Sequence, residues 1–138
     1  MPISSINPAT GAVLKTFSPL SADDLERRLA LAAKTFATYR QTSFEQRATW
    51  LRQAAQVLDD NKAAYAKIMT LEMGKPLAGA VAEVEKSALV CRYYADHGAE
   101  FLGHEPATTH ASRSFVRSQP LGPVPALMPR NTPFRTVL

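Results

Sequence analysis

Residues 119–138 read QPLGPVPALMPRNTPFRTVL and combine a short apolar run with several prolines. The run from Val124 to Met128 follows a Gly-Pro turn, and an apolar run bounded by turn residues is typical of a buried strand. Thr132 and Pro133 favour the start of a helix, because proline needs no N–H partner at the first helical position. Asn131 is therefore predicted at the carboxyl end of a strand, where open α/β sheets bind ligands.

Four helices are predicted upstream of this segment, because apolar side chains recur there at steps of three and four. Ser21 with Asp24, and Ser43 with Gln46, have the spacing of capping boxes. Gly74 closes the third helix. The predicted helices are Ser21 to Arg40, Ser43 to about Asp60, about Lys62 to Met73, and about Leu77 to Leu102.

The helical spacing also predicts which side chains are buried. The predicted stripes are Leu25, Leu29, Ala32, Phe36 and Tyr39; Trp50, Leu51, Ala54, Val57 and Leu58; Tyr65, Ile68 and Met69; and Leu77, Val81, Val84, Ala88, Cys91 and Ala95, widened by Leu89, Tyr93 and Phe101. By contrast, Glu83, Glu85 and Lys86 have the composition of a solvated helix face.

Extended segments are predicted at both ends of the chain. Ile3 to Ile6 and Val13 to Phe17 flank a Pro- and Gly-containing turn, which indicates an edge hairpin within residues 1–20. Residues 21–103 form the four-helix region, and residues 104–138 hold a connector and the terminal strands. The connector is His104 to Ser112, and the alternation from Arg113 to Gln119 predicts a strand. The chain is thus mostly α-helical with an N-terminal hairpin and C-terminal strands.

Composition narrows the class of protein. A chain of 138 residues with 46% hydrophobic and 20% charged residues is typical of one globular domain. The net charge is +4, but Lys and Arg are scattered, which favours an ordinary surface over a nucleic-acid-binding one. The sequence has neither a long apolar run nor a signal-peptide pattern. The one cysteine, Cys91, fits a reducing compartment, so we expect a cytoplasmic protein without nucleic-acid or membrane partners.

Four separated motifs occur in order along the chain: Ile6-Asn7-Pro8-Ala9-Thr10-Gly11, Leu71-Glu72-Met73-Gly74-Lys75-Pro76, Cys91-Arg92-Tyr93-Tyr94-Ala95 and the segment from Gln119 to Phe134. Together they resemble the aldehyde dehydrogenase family, in its NAD(P)-dependent succinate-semialdehyde dehydrogenase branch. The parent fold of that family is α/β and Rossmann-like. The whole chain resembles its N-terminal, cofactor-binding part, so a truncated member is expected.

The resemblance implies a chemistry. The family oxidises an aldehyde through a cysteine thiolate, passes hydride to NAD(P) and hydrolyses the thioester with a glutamate base. Asn131 takes the position of the asparagine whose amide holds the oxyanion, because donors placed where charge develops lower the barrier. Met128, Pro129 and Arg130, with Asn131, take positions on the nicotinamide side of the cofactor.

Other parts of that chemistry have no counterpart in this sequence. The family's catalytic cysteine, glutamate base and phosphate-binding glycine segment would lie downstream, and Cys91 sits mid-helix on an apolar stripe. Arg130, Thr132 and Arg135 stand where the family has aromatic residues, and Pro125 interrupts the predicted strand. We therefore expect no activity from this chain alone. His97, His104 and His110 lack the spacing of a structural zinc site, so no metal is expected.

Two other functions stay open at this point. The chain can be a helical interaction module that docks on a full-length aldehyde dehydrogenase, on the remainder of such an enzyme, or on itself. The predicted strands lack sheet partners, and unpaired strand edges invite another chain. A basic nucleic-acid binder is the third candidate and the one least favoured, and salt-sensitive DNA binding would distinguish it.

Overall fold

The computed structural model describes residues 3–128 and 131–137. The four predicted helices are confirmed with nearly the predicted bounds. Among the described residues, no helix combines the length and the apolar character that a membrane span requires. The elements are β1 (Ile3–Ile6), β2 (Val13–Phe17), α1 (Ala22–Tyr39), α2 (Phe44–Asp60), α3 (Lys62–Met73), α4 (Leu77–Phe101), β3 (Glu105–Pro106), β4 (Phe115–Val116) and α5 (Pro133–Val137).

The starts of α1 and α2 follow from the local sequence. The Ser21 hydroxyl accepts the Asp24 backbone N–H at 3.0 Å, and its own hydrogen bond holds the pKa of the Asp24 carboxyl below the ordinary value. Ser43 and Gln46 form a complete capping box, with reciprocal hydrogen bonds of 3.2 and 3.0 Å. These caps satisfy backbone donors that would otherwise lack partners.

The core is the space where α2 and α3 pack against α4. Its members on α4 are mostly small, which lets the other helices approach α4 closely. Charged pairs also join the helices: Arg52 with Asp96 at 2.6 Å, Lys62 with Glu85 at 2.7 Å, and Arg92 with Asp59. The buried apolar residues are Ala55, Leu58, Ala66, Met69, Ala80, Val84, Ala88, Cys91 and Ala95.

The predicted burial of the α1 stripe is wrong. No residue of α1 is buried, and Leu25 and Leu29 are 50% and 55% exposed. The helix is held near its C-terminal end, where the Tyr39 and Trp50 rings stack at 5.8 Å. Since no element among the described residues covers the stripe, helical spacing alone did not decide its burial. Tyr39 of the same stripe is exposed, and so are several side chains predicted to be buried on the other helices: Trp50, Val57, Ile68, Leu77, Leu89, Tyr93 and Phe101.

The N-terminal hairpin is confirmed and packs on α3. β1 and β2 pair antiparallel, with a register irregularity between Ser5 and Ile6. Gly11 closes the turn with a φ of 72°, which favours glycine. The turn residue Pro8 lies against Gly74, so the hairpin is anchored where α3 ends.

The predicted C-terminal strands are largely absent. The segment from Val124 to Met128 is irregular rather than a buried strand, and Leu127 is 99% exposed. The strand predicted from Arg113 to Gln119 is reduced to β4, which pairs only with β3 inside the predicted connector. An isolated two-stranded pair is marginal in water, and prolines at 120, 123 and 125 remove backbone donors.

We predict that Gly74→Ala destabilises the chain. Gly74 has a φ of 74°, and an added Cβ would lie 3.1 Å from Pro8 Cγ. Strain in the left-handed region costs about 1–2 kcal/mol, so the free energy of unfolding should fall by at least that amount. Urea denaturation followed by circular dichroism measures it.

Gly98→Ala is the matched control for this prediction. Gly98 lies inside α4, and an added Cβ would meet no atom within 4 Å. The better helix propensity of alanine should raise the free energy of unfolding by up to about 1 kcal/mol. Equal stability of Gly74→Ala and the original chain would show that the anchor between hairpin and α3 is not built as described.

Candidate functional site

The turn that carries Asn131 leads into α5. Asn131 is exposed, and its backbone carbonyl accepts a hydrogen bond of 3.4 Å from Lys75 Nζ. The predicted helix start at Pro133 is confirmed. Met128 is 42% exposed and precedes the turn. Pro129 and Arg130, the other two predicted site residues, lie outside the described residues, so only Met128 and Asn131 are located.

The buried carboxylate of Glu83 on α4 anchors the start of α5, directly after this turn. Glu83 is 6% exposed, and its Oε1 accepts the backbone N–H groups of Phe134 and Arg135 at 3.1 and 3.4 Å. Its Oε2 forms an ion pair with Lys75. Because Pro133 has no N–H, Phe134 and Arg135 carry the first backbone donors of α5. Glu83 therefore satisfies donors that the short helix cannot satisfy itself.

The sequence interpretation missed this residue. Glu85 and Lys86 are exposed as predicted, but the prediction that Glu83 lies on the same solvated face is wrong. Glu83 follows Ala80 by three positions and precedes Ser87 by four, and both of these neighbours are buried. That helical spacing is the signal that locates Glu83 on the core side. Its charge obscured the signal, since acidic residues are rarely buried without a partner.

Aromatic packing between Phe134 and Tyr65 also holds α5 against the helical core. The Phe134 ring lies 5.2 Å from the Tyr65 ring, between centroids, and packs against the core. Beside it is a groove of about 430 Å³. Its walls are apolar, so it offers no group that binds phosphate. The groove is lined by Ala54, Val57, Leu58, Pro133, Phe134 and Val137.

Cys91 is a core residue, as predicted. Its side chain is 1% exposed in α4. Burial raises the pKa of the Cys91 thiol, and the neighbouring Arg92 opposes that shift only in part. The thiolate is the nucleophilic form of cysteine, so a buried thiol with a raised pKa is a poor nucleophile.

We predict that Cys91 reacts with thiol reagents only when the core opens. In the folded chain the reaction with Ellman's reagent should be about 1,000-fold slower than in urea, because exposing the thiol costs several kcal/mol. The double variant Cys91→Ala/Ser112→Cys places the thiol on an exposed segment and should react rapidly in both conditions. Fast labelling of Cys91 in the folded chain would contradict its position in the core.

The chain matches known proteins along its length. The model of the aldehyde dehydrogenase family matches residues 1–138. A Synechocystis sp. protein named probable succinate-semialdehyde dehydrogenase [NADP(+)] is 49% identical over 134 residues, which covers 97% of this chain and 30% of that protein. The chain therefore spans about 30% of the length of this curated relative.

Solved structures share the fold. The succinic semialdehyde dehydrogenase from Streptococcus pyogenes, solved in complex with NADP+, matches with a TM-score of 0.76 and 34% identity. The match covers 81% of this chain and 25% of that chain. An indole-3-acetaldehyde dehydrogenase in its apo form matches with a TM-score of 0.88 over 99% of this chain and 32% of its own. At 24% identity, this second match speaks for the fold alone.

Proposed function

Because the chain belongs to the aldehyde dehydrogenase family, which its sequence motifs predicted and the match over residues 1–138 confirms, we propose that it supplies one part of an NADP-dependent aldehyde dehydrogenase. Succinate semialdehyde or a similar aldehyde is the proposed substrate of the assembled enzyme. The names of the Synechocystis and Streptococcus pyogenes relatives support this substrate class and favour NADP+ over NAD+.

The proposed role of Asn131 is to donate a hydrogen bond from its side-chain amide to the oxyanion that forms when a thiolate attacks the aldehyde. Two observations support this. Asn131 is exposed, so a substrate can reach it, and its turn is tied to the core through Lys75 and Glu83. A donor that is already in place before the reaction needs no reorganisation when charge develops.

Met128, Pro129 and Arg130 are the proposed contacts on the cofactor side. Of these, Met128 is described; it is apolar and partly exposed, which suits contact with a flat ring. NADP+, when bound, accepts the hydride from the substrate. The family's phosphate-binding glycine segment has no counterpart in this sequence, so we expect the chain alone to bind NADP+ weakly or not at all.

The chain alone should have no turnover, and the burial of Cys91 is the observation that supports this expectation. It is the single cysteine of the sequence, it lies in the core, and burial raises the pKa of its thiol. The nucleophile must therefore come from another segment or another chain. A lone buried thiol forms no structural disulfide, and we propose that the chain works in the reducing cytoplasm.

We predict that the chain becomes active when the rest of a family enzyme is supplied. The test is a chimera in which this chain replaces the aligned segment of the Synechocystis relative, assayed by NADPH formation from succinate semialdehyde. The chimera should turn over, and the chain alone should not. Asn131→Ala in the chimera should lower kcat about 100- to 1,000-fold, because one oxyanion donor is lost.

Gln53→Ala is the control for that substitution, since it removes an exposed amide of α2. It should leave kcat unchanged. Turnover by the chain alone would require a nucleophile other than a buried Cys91 and would contradict the proposal. Equal rates for Asn131→Ala and Gln53→Ala would contradict the role of Asn131.

The exposed apolar stripe of α1 supports a second candidate function, docking on another aldehyde dehydrogenase chain. Leu25 and Leu29 are 50% and 55% exposed, although an apolar stripe of this kind normally faces a protein core. The occupant we propose is the part of a family chain that this chain does not span. Co-purification with the full-length Synechocystis relative should be weakened by Leu29→Glu but not by Thr38→Glu, which lies on the other side of α1. A monomeric chain that does not bind the full-length relative would contradict docking.

A further inference from the structure

We propose that Glu83 is a positioning residue that fixes Asn131 for catalysis, acting through the backbone of α5 and through Lys75. This inference rests on the proposed function of Asn131, and it assigns a role to a residue on a different helix. The route has two branches. One runs from Glu83 to the N–H groups of Phe134 and Arg135, and the other runs from Glu83 through Lys75 to the Asn131 carbonyl.

The burial of Glu83 makes this arrangement specific. Its side chain is 3% exposed, and the Lys75 side chain is 20% exposed. A buried carboxylate is tolerated only when hydrogen bonds and an opposite charge replace its hydration. Both oxygens of Glu83 have such partners, and all of the partners belong to the segment before α4 or to α5. The carboxylate therefore favours one placement of α5.

The backbone groups that Glu83 and Lys75 hold lie at Asn131 or close after it. Phe134 and Arg135 follow Asn131 by three and four residues, and Lys75 contacts the backbone carbonyl of Asn131 itself. The Phe134 ring packs on Tyr65, which prevents α5 from sliding away from the core. The side-chain amide of Asn131 is thus displayed at the surface while the backbone beside it is anchored to α4.

The ion pair of Glu83 with Lys75 differs in burial from the ion pairs between helices. The pairs of Arg52 with Asp96 and of Lys62 with Glu85 join side chains that are about half exposed, and such pairs contribute little. Within residues 3–128 and 131–137, Glu83 is the one buried charged residue. Buried ion pairs are weak stabilisers compared with apolar packing, but they can select a single geometry. A selected geometry is what an oxyanion donor requires.

The test compares Glu83→Ala, Glu83→Gln and Glu85→Ala in the full chain and in the chimera with the Synechocystis relative. In the full chain, Glu83→Ala should speed amide hydrogen exchange at Phe134 and Arg135 at least about tenfold relative to Val84 in the core. In the chimera it should lower kcat about 100-fold with little change in KM, since misplacing a catalytic group by about 1 Å has that effect.

The conservative variant and the control define the role. Glu83→Gln keeps an acceptor oxygen for the two N–H groups but loses the ion pair with Lys75, so it should restore part of the kcat that Glu83→Ala loses. Glu85→Ala removes a carboxylate two residues away on the exposed side and should match the original chain in both measurements. Unchanged exchange and unchanged kcat in Glu83→Ala would overturn the proposal. A loss of kcat in Glu85→Ala equal to that in Glu83→Ala would also overturn it.

The same experiments remain decisive in two further cases: if Glu83→Ala does not fold, and if the proposed function of Asn131 fails. If Glu83→Ala does not fold, the double variant Lys75→Met/Glu83→Gln replaces it, because it removes the contact with the Asn131 carbonyl, leaves no unpaired buried charge and keeps an acceptor oxygen for the N–H groups of α5. A loss of kcat of about tenfold or more supports the proposal, and an unchanged kcat overturns it. If Asn131→Ala leaves the chimera unimpaired, the proposed function fails, and the exchange at Phe134 and Arg135 alone decides whether Glu83 holds the turn.

Discussion

The packing of α2 and α3 on one face of α4 is the constraint on which the other features depend. That face is built from small side chains, such as Ala80, Ala88 and Ala95, so the helices meet at close range. The hairpin is anchored where α3 ends, at Gly74, and α5 is anchored on α4 and Tyr65. By contrast, no residue of the α1 stripe is buried.

Glu83 connects this core to the candidate site. A charged group at a closely packed helix interface is costly unless its hydrogen-bonding capacity is filled, and here Lys75 and the first N–H groups of α5 fill it. The fold thus places an anchored, exposed asparagine at its surface while it buries its one thiol. This combination supports the proposed role of Asn131 as an oxyanion donor that acts with a nucleophile other than Cys91.

Local signals in the sequence predicted most of the fold. Ser21, Ser43 and Gly74 mark helix ends through contacts with near neighbours in the chain, so these predictions were correct. The burial of Leu29 and the strand at 124–128 depend on packing partners, and no pattern within a segment reveals whether those partners are present. The motifs identified the family, whereas the role of Asn131 remains a proposal, and the support from Glu83 was missed because its charge outweighed its spacing.

Amide hydrogen exchange across the whole chain tests most directly whether the packing on α4 organises the molecule. The amides of Val84 and Ala88 should be the slowest to exchange, since they open only with the core. The amides around Leu29 should exchange within about 100-fold of an unfolded peptide, because a helix without tertiary packing is only marginally stable in water. Equal protection of α1 and α4 would contradict the account, because it would mean that α1 is packed into the same cooperative unit.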